Sequence, residues 1–373
     1  MPKIIISANT DWYLYNFRRS LAQTLRQRGW EVALFSPPGA FSERLEALGL
    51  RCLPWQLGRQ SLAPWAEYPA LRQALGVYRR EKPDLVHHHT IKPSIYGSTA
   101  AARSGVGGIV NSITGRGYVF LGGKAKARLM RPVVRLMYRY AFRSENLRAI
   151  FENQEDREYF IQHKLVPAAR TALIESVGVD PERYRPSPEP PGTPVVLMAA
   201  RMLWDKGAGV LVEAARRLGA PNGVRVLLAG QPDPGNPNTI SIQQLERWQR
   251  EGVVEWLGFQ PDIPGLLSQC HIFALPTMYG EGIPVALLEA SASGLPVVST
   301  RIPGPVDFVL DGETGILVPP NDPEALAQAL GRLVRDPGLR GRMGAAGRQR
   351  VLERFTLNEV NRRTIAIYEE LIG

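Results

Sequence analysis

Two short stretches of this 373-residue chain combine residue types and spacings that could do chemistry. The first is Ala200-Arg201-Met202-Leu203-Trp204-Asp205-Lys206-Gly207, which follows the apolar run 195–200 and opens a helical pattern. Arg201 and Lys206 stand five positions apart around a turn, so both cations can converge on one anion. The amides at a helix start favour the same anion. A diphosphate leaving group gains negative charge as its bond breaks and needs such neutralisation. Taken alone, the pair also reads as two solvated surface cations. The second stretch runs from Pro276 to Ala290 and holds Glu281 and Glu289, eight positions apart around a glycine-rich turn. With Glu281 in the loop and Glu289 on the following helix, the two carboxylates address opposite ends of one ligand. Carboxylates accept hydrogen bonds from vicinal hydroxyls, which sugars and ribose both offer. The amides of Gly282, Ile283 and Val285, around Pro284, add donors for phosphate oxygens. Alone, this pair also reads as a helix-capping acid and a solvated helix acid.

A third cluster, His87-His88-His89, invites a metal reading. Consecutive strand residues face opposite ways, so the three cannot share one ion. The expectation is one buried histidine and one or two at the edge of a site. Cys52 and Cys270 lie far apart, without metal-ligand spacing and without reason to be bridged, which suits a reducing cytoplasm. The sequence contains no Asp-x-Asp, which argues against a nucleotide held through a divalent ion.

These residues need a frame, and the pattern supplies one. Short apolar runs at 4–7, 31–35, 84–88 and 108–113 alternate with longer helical patterns. The same rhythm resumes at 195–200, 224–229, 253–257, 271–275 and 296–299. Continuous apolar strands separated by helices indicate an α/β protein with parallel sheets covered on both faces. Between the two series, 186–194 is dominated by proline and reads as a linker. The expected domains are therefore 1–185 and 195–355, two Rossmann-like doubly wound units facing across a cleft. A last helix, 356–373, is expected to pack back on the first. In such sheets ligands sit beyond the carboxyl ends of strands, where both motifs lie.

Charge is unevenly placed. Residues 1–185 carry 28 Lys/Arg against 15 Asp/Glu, a balance of +13, whereas 186–373 carry 17 against 20, or −3. The first half is thus built for an anionic partner. Between Arg116 and Arg148 there are nine basic residues and only Glu145 as an acid. Arg128, Arg131, Arg135 and Arg139 recur at helical spacing, with Leu129, Val133, Leu136, Met137 and Tyr140 read as the opposite, apolar side. Pro132 is expected to kink this helix or mark its start. Such a helix suits an anionic membrane surface, although a basic face in water over an apolar face on the sheet remains open. No apolar run reaches the roughly 18 residues of a spanning helix. No aromatic-interleaved basic strand marks a nucleic-acid module, so nucleic acid is not an expected partner.

Taken in order, Arg201 and Lys206, Glu281 and Glu289, and the surrounding Glu-Gly-x-Pro and Leu-Glu-Ala-x-Ala-x-Gly-x-Pro-Val-Val pattern resemble the retaining glycosyltransferases of family 4, of GT-B type. The resemblance covers nearly the whole chain. It implies that Arg201 and Lys206 bind the donor diphosphate, that Glu289 holds the ribose hydroxyls, and that Glu281 with Gly282, Ile283, Pro284 and Val285 holds the donor sugar. Gly258, Phe259 and Gln260 would border the base. Two departures stand out: Asp307 where the family carries a Glu, and an extra glycine at Gly280.

The opening 9–17, with 89–93 and 114–120, resembles a bacterial subgroup that extends undecaprenyl-diphosphate-linked sugars for surface polysaccharides or glycans. By that resemblance Asn9, Asp11, Asn16, Lys92, Thr114, Arg116 and Asn153 line the acceptor side. Thr114 stands where the family usually has a histidine, and His89 is the substitute candidate for a catalytic polar group. The expectation is a metal-independent hexosyl- or N-acetylhexosaminyltransferase without a cofactor. It would use a UDP-sugar as co-substrate and a polyprenyl-diphosphate-linked acceptor, on the cytoplasmic face of the plasma membrane. A sugar-nucleotide epimerase of the same fold, or a transferase with a soluble acceptor, is the alternative.

Overall fold

The computed structural model describes residues 1–58, 67–115, 120, 125–220, 223–280 and 282–373, with the backbone alone at 125–127. Among these residues the chain forms two compact units, Met1–Val177 with Leu357–Gly373, and Gly178–Thr356.

The first unit is built on β1 (Lys3–Ser7), β2 (Glu31–Ser36), β3 (Arg51–Pro54), β4 (Leu85–His89), β5 (Gly108–Ile113), β6 (Leu147–Phe151) and β7 (Thr171–Leu173). They form one parallel sheet in the order β3-β2-β1-β4-β5-β6-β7. Ile4, Ile5 and Ile6 form a strand because β-branched side chains fill both covered faces, and all three are fully buried. Ile5 packs with Phe35, Val86 and Tyr78 on one face. Ile4 and Ile6 pack on the other with Val360, Ile365 and Tyr368. The helix Leu357–Ile372 therefore belongs to the core of the first unit, although it is last in the chain.

The second unit holds β8 (Val195–Ala199), β9 (Arg225–Ala229), β10 (Glu255–Gly258), β11 (Ile272–Leu275), β12 (Val297–Thr300) and β13 (Gly315–Val318). Their order is β10-β9-β8-β11-β12-β13, again all parallel. Strand order reverses between β1 and β4 in one sheet and between β8 and β11 in the other. A crevice opens at the carboxyl ends of such switch points.

Three expectations are corrected. The proline-rich segment 186–194 is not the passage between units, which falls at Val177–Gly178. Its Glu189 makes a two-pronged ion pair with the buried Arg340, at 2.9 and 2.5 Å, and its Pro190 carbonyl meets His271 Nε2 at 2.9 Å. Arg340 needs a countercharge once buried, and this fixes the segment into the second unit. The three histidines of β4 are all fully buried rather than divided between core and edge. The helix Ala125–Ala141 runs through Pro132 and seats itself by Val134, Tyr138 and Ala141. Leu129, Val133, Leu136 and Tyr140, which the alternative reading laid on the sheet, are exposed, Leu129 by 79% and Leu136 by 65%.

Candidate active site

The two motifs of the second half are brought to adjacent strand ends. Arg201 and Lys206 follow β8, and the loop from Pro276 follows its neighbour β11. The loops are joined by close backbone approach. Met278 N donates to Asp205 O at 2.8 Å, and Thr277 Oγ1 to the same carbonyl at 3.3 Å. Gly207 sits at φ +83°, where a Cβ would stand 2.0 Å from Pro276 O, so only glycine lets these turns touch. Lys206 is buried, with Nζ 5.4 Å from the centroid of the Tyr279 ring. This cation–π contact places its ammonium between the two loops. Arg201 is half exposed and donates from Nη1 to Asp233 Oδ2 at 2.8 Å, in the loop after β9. Asp233 is a partner that sequence spacing did not reveal.

Glu289 lies on the helix Val285–Ala292, which begins at Pro284 without a side-chain cap and so leaves its first amides open to a ligand. Ile283 is buried beneath that start. Among the described residues the Glu289 carboxylate has one partner, the Tyr184 hydroxyl, which donates to Oε1 at 2.5 Å. Burial pushes its carboxyl above the usual range, against the Tyr184 hydrogen bond and the charge of Arg183. A half-buried carboxylate with a single neutral donor retains unfilled acceptor positions. Glu281, the other expected acid, lies outside the described residues.

The third side of this edge comes from β10. Gly258 adopts φ +64° and its carbonyl accepts from Gly230 N at 2.7 Å. Phe259 is 65% exposed beyond the strand, and Gln260 Nε2 donates to Leu257 O at 2.7 Å. The departures from the family pattern have local reasons. Asp307 folds back to accept from Gly304 N at 3.0 Å, capping its own short helix. At Gly280 a Cβ would press within 3.1–3.3 Å of the Pro303 ring, so the extra glycine lets the loops after β11 and β12 close together. A separate cavity of about 180 Å³, lined by Cys270, His271, Glu189 and Arg340, lies at the opposite, amino-terminal edge of the sheet. Burial pushes the Cys270 thiol up to about 12, which removes it as a nucleophile there.

In the first unit the expected acceptor-side residues diverge. His89 ends β4, fully buried, with neither ring nitrogen hydrogen-bonded among the described residues, 5.5 Å from the Tyr13 ring and 4.0 Å from that of His87. Burial, with Arg18 nearby, holds its pKa well below the usual value, so it is a neutral imidazole. Thr90 follows at φ +70°, an uncommon conformation for a β-branched residue, with Oγ1 unpaired among the described residues. His87 is satisfied by Tyr368 and Ser112, and His88 by Tyr78 and Asn111. Among the described residues no group of three or more His, Cys, Asp or Glu is placed to hold a metal.

Asp11 is occupied by the amides of Trp12 and Phe41 and the Ser42 hydroxyl. Asn153 caps the helix Gln154–Gln162. Lys92 pairs with the buried Glu67 at 2.5 Å. These three side chains have structural work that their sequence context did not disclose. Asn16 is exposed, Asn9 and Thr114 are half-buried, and Arg116 lies outside the described residues.

Comparison with known proteins places this geometry. Residues 193–336 match the family described as glycosyl transferases group 1, and residues 3–151 match glycosyl transferase 4-like. The chain is 27% identical over 372 residues, 96% of each chain, to a Campylobacter jejuni N,N'-diacetylbacillosaminyl-diphospho-undecaprenol alpha-1,3-N-acetylgalactosaminyltransferase. It is 28% identical over 276 residues, 69% of this chain and 68% of the relative, to an Escherichia coli UDP-Gal:alpha-D-GlcNAc-diphosphoundecaprenol alpha-1,3-galactosyltransferase. The solved structure of Anabaena HepE with UDP and glucose superposes with a TM-score of 0.82 at 21% identity, covering 100% of both chains.

Proposed function

From a chain that belongs to the group 1, family-4-like glycosyl transferases and has the GT-B fold, we propose a specific reaction: transfer of a sugar from a UDP-sugar to a lipid-diphosphate-linked saccharide, with anomeric configuration retained. Two relatives of different specificity, one from Campylobacter jejuni and one from Escherichia coli, carry undecaprenyl-diphosphate acceptors in their names, and both form α-1,3 linkages. The Escherichia coli relative names a UDP donor. The observation that carries the donor half of the proposal is Glu289, a half-buried carboxylate with one neutral hydrogen-bond partner among the described residues, next to the uncapped start of its helix. Ribose hydroxyls fill its open acceptor positions. Arg201 and Lys206, on the neighbouring strand end, take the diphosphate. Their charge does the work a divalent ion does in other nucleotide sites, so no metal is needed.

In a retaining transfer by front-face attack, the departing phosphate accepts the acceptor's proton as the new glycosidic bond forms. The protein's part is then orientation and leaving-group stabilisation. His89, neutral and unpaired at the end of β4, is the group of the first unit best suited to a sugar hydroxyl.

The helix Ala125–Ala141 serves the acceptor's membrane. Its exposed stripe of Leu129, Val133, Leu136 and Tyr140 is bordered by exposed Arg128, Arg139 and Arg143. That combination suits shallow seating among anionic headgroups. Among the described residues no helix is long and apolar enough to cross a membrane, so attachment is peripheral in this proposal.

Arg201→Ala tests the donor assignment. Losing one stabilising donor at the leaving group is expected to lower turnover about 100-fold with the fold intact. Unchanged turnover would refute the assignment.

A further inference from the structure

Glu289 is held by a residue that sequence patterns did not single out. The Tyr184 hydroxyl donates to Oε1 at 2.5 Å, the length of a charge-assisted O–H···O⁻ bond. Tyr184 is itself fixed on every side. It is 5% exposed, its amide donates to Asp180 O at 3.1 Å, and Arg183 lies over its ring at 5.4 Å. Its carbonyl accepts from Arg348 Nη1 at 3.0 Å. The same Nη1 donates to Ala292 O, the last residue of the helix that carries Glu289. One guanidinium therefore locks the backbone of Tyr184 to that helix, and the phenol locks the carboxylate.

A glutamate side chain left free to rotate must be ordered when a ligand binds, and that ordering subtracts from affinity. Here it is ordered beforehand. The phenol fills one acceptor position of Oε1 and leaves Oε2 with the remaining lone pairs for a ligand.

We propose that Tyr184 is a positioning residue for nucleotide recognition: it presets the Glu289 carboxylate so that it reads the two vicinal hydroxyls of the donor ribose. This rests on the assignment of Glu289 to the ribose and extends it to a residue more than a hundred positions earlier in the chain. The proposal accounts for a tyrosine buried against an acid, an arrangement that raises the pKa of its own phenol and so has no use as a proton source.

Calorimetric titration with UDP and with 2',3'-dideoxy-UDP tests it, using the full chain and three variants. The wild-type protein is expected to prefer UDP strongly. Glu289→Ala is expected to erase that preference. Tyr184→Phe is expected to weaken UDP binding about 10-fold, as loss of one hydrogen bond to a charged group implies, and to leave dideoxy-UDP unchanged. In the Glu289→Ala background, Tyr184→Phe is expected to add nothing. The acid limb of UDP affinity should also move to higher pH in Tyr184→Phe, because the phenol favours the ionised carboxylate. A purely structural role would weaken both ligands equally and leave that limb in place.

If Glu289→Ala loses the preference while Tyr184→Phe keeps it, with an unmoved pH limb, the proposal is overturned and the ribose assignment stands. If Glu289→Ala still prefers UDP, the assignment itself fails. Should Tyr184→Phe not fold, 3-fluorotyrosine at this position keeps the ring and strengthens the donor. It is expected to shift the acid limb downward, and an unmoved limb would overturn the proposal.

Discussion

Burial lifts the Glu289 carboxyl above the usual carboxylate range, and this has a consequence for stability whose sign is fixed. A group that binds its proton more tightly when folded makes the folded state lose stability as pH rises through that range. At neutral pH the ionised Glu289 therefore works against folding. Glu289→Gln, which keeps an oxygen for the Tyr184 hydroxyl, is expected to raise the melting temperature by about 1–3 °C at pH 7.5. The same variant should weaken UDP binding. A lower melting temperature, read by differential scanning calorimetry, would count against this account. Arg201, Lys206 and Glu289 were singled out by the joint pattern that resembles family 4, since each pair alone reads equally as solvated surface charge. Tyr184 and Asp233 were not, since each is related to its partner only through the fold. Asp11, Lys92 and Asn153 were singled out only by the family resemblance. The Asp11 and Lys92 roles depend on Phe41 and Glu67, which no local pattern connects to them, whereas Asn153 caps its own helix beside Asp156 three residues on.

At the scale of elements, the strands announced themselves because a parallel sheet buried on both faces requires continuous Ile, Val and Leu. The strands β3, β6, β7 and β13 went unread: β3 and β7 carry weak patterns, Arg-Cys-Leu-Pro and Thr-Ala-Leu, β6 is interrupted by Arg148, and β13 follows directly on turn residues. The helix Ala125–Ala141 shows the limit of periodicity. Two apolar stripes share it, and the sequence alone does not say which one packs. Val134, Tyr138 and Ala141 do, because Tyr138 fits edge-on against Phe142 and Phe160. The stripe left outside defines a prediction. Leu129→Glu with Leu136→Glu is expected to abolish cosedimentation with vesicles containing anionic lipid, with far-UV circular dichroism unchanged. Each buried leucine contributes about 1.5–3 kcal/mol to seating, so both together decide attachment. Vesicle binding equal to wild type would show that the arginines alone carry it.

For the whole molecule, the distribution of charge follows the division of labour. The half carrying +13 is the one proposed to face anionic lipid and a lipid diphosphate, whereas the half at −3 balances 17 Lys/Arg against 20 Asp/Glu and places Arg201 and Lys206 at the β8 strand end. The two sheets repeat one plan, each with a switch point, β1/β4 and β8/β11, whose carboxyl ends carry the residues singled out for chemistry. The relation between the proline-rich segment and the unit boundary was the part of this plan that composition misplaced. Proline content reports only that a segment lacks regular structure, not whether Glu189 finds a buried arginine.

The central claim is that the β8 and β11 strand ends form one metal-independent site for a nucleotide sugar. Titration of the wild-type chain and of the Arg201→Ala, Lys206→Ala double variant with UDP, in excess EDTA and again with magnesium, tests it most directly. One-to-one binding by the wild type, equal in both conditions, and at least 100-fold weaker binding by the double variant are expected, since both diphosphate-neutralising cations are removed. Binding that appears only with magnesium, or that survives the double substitution, would contradict it.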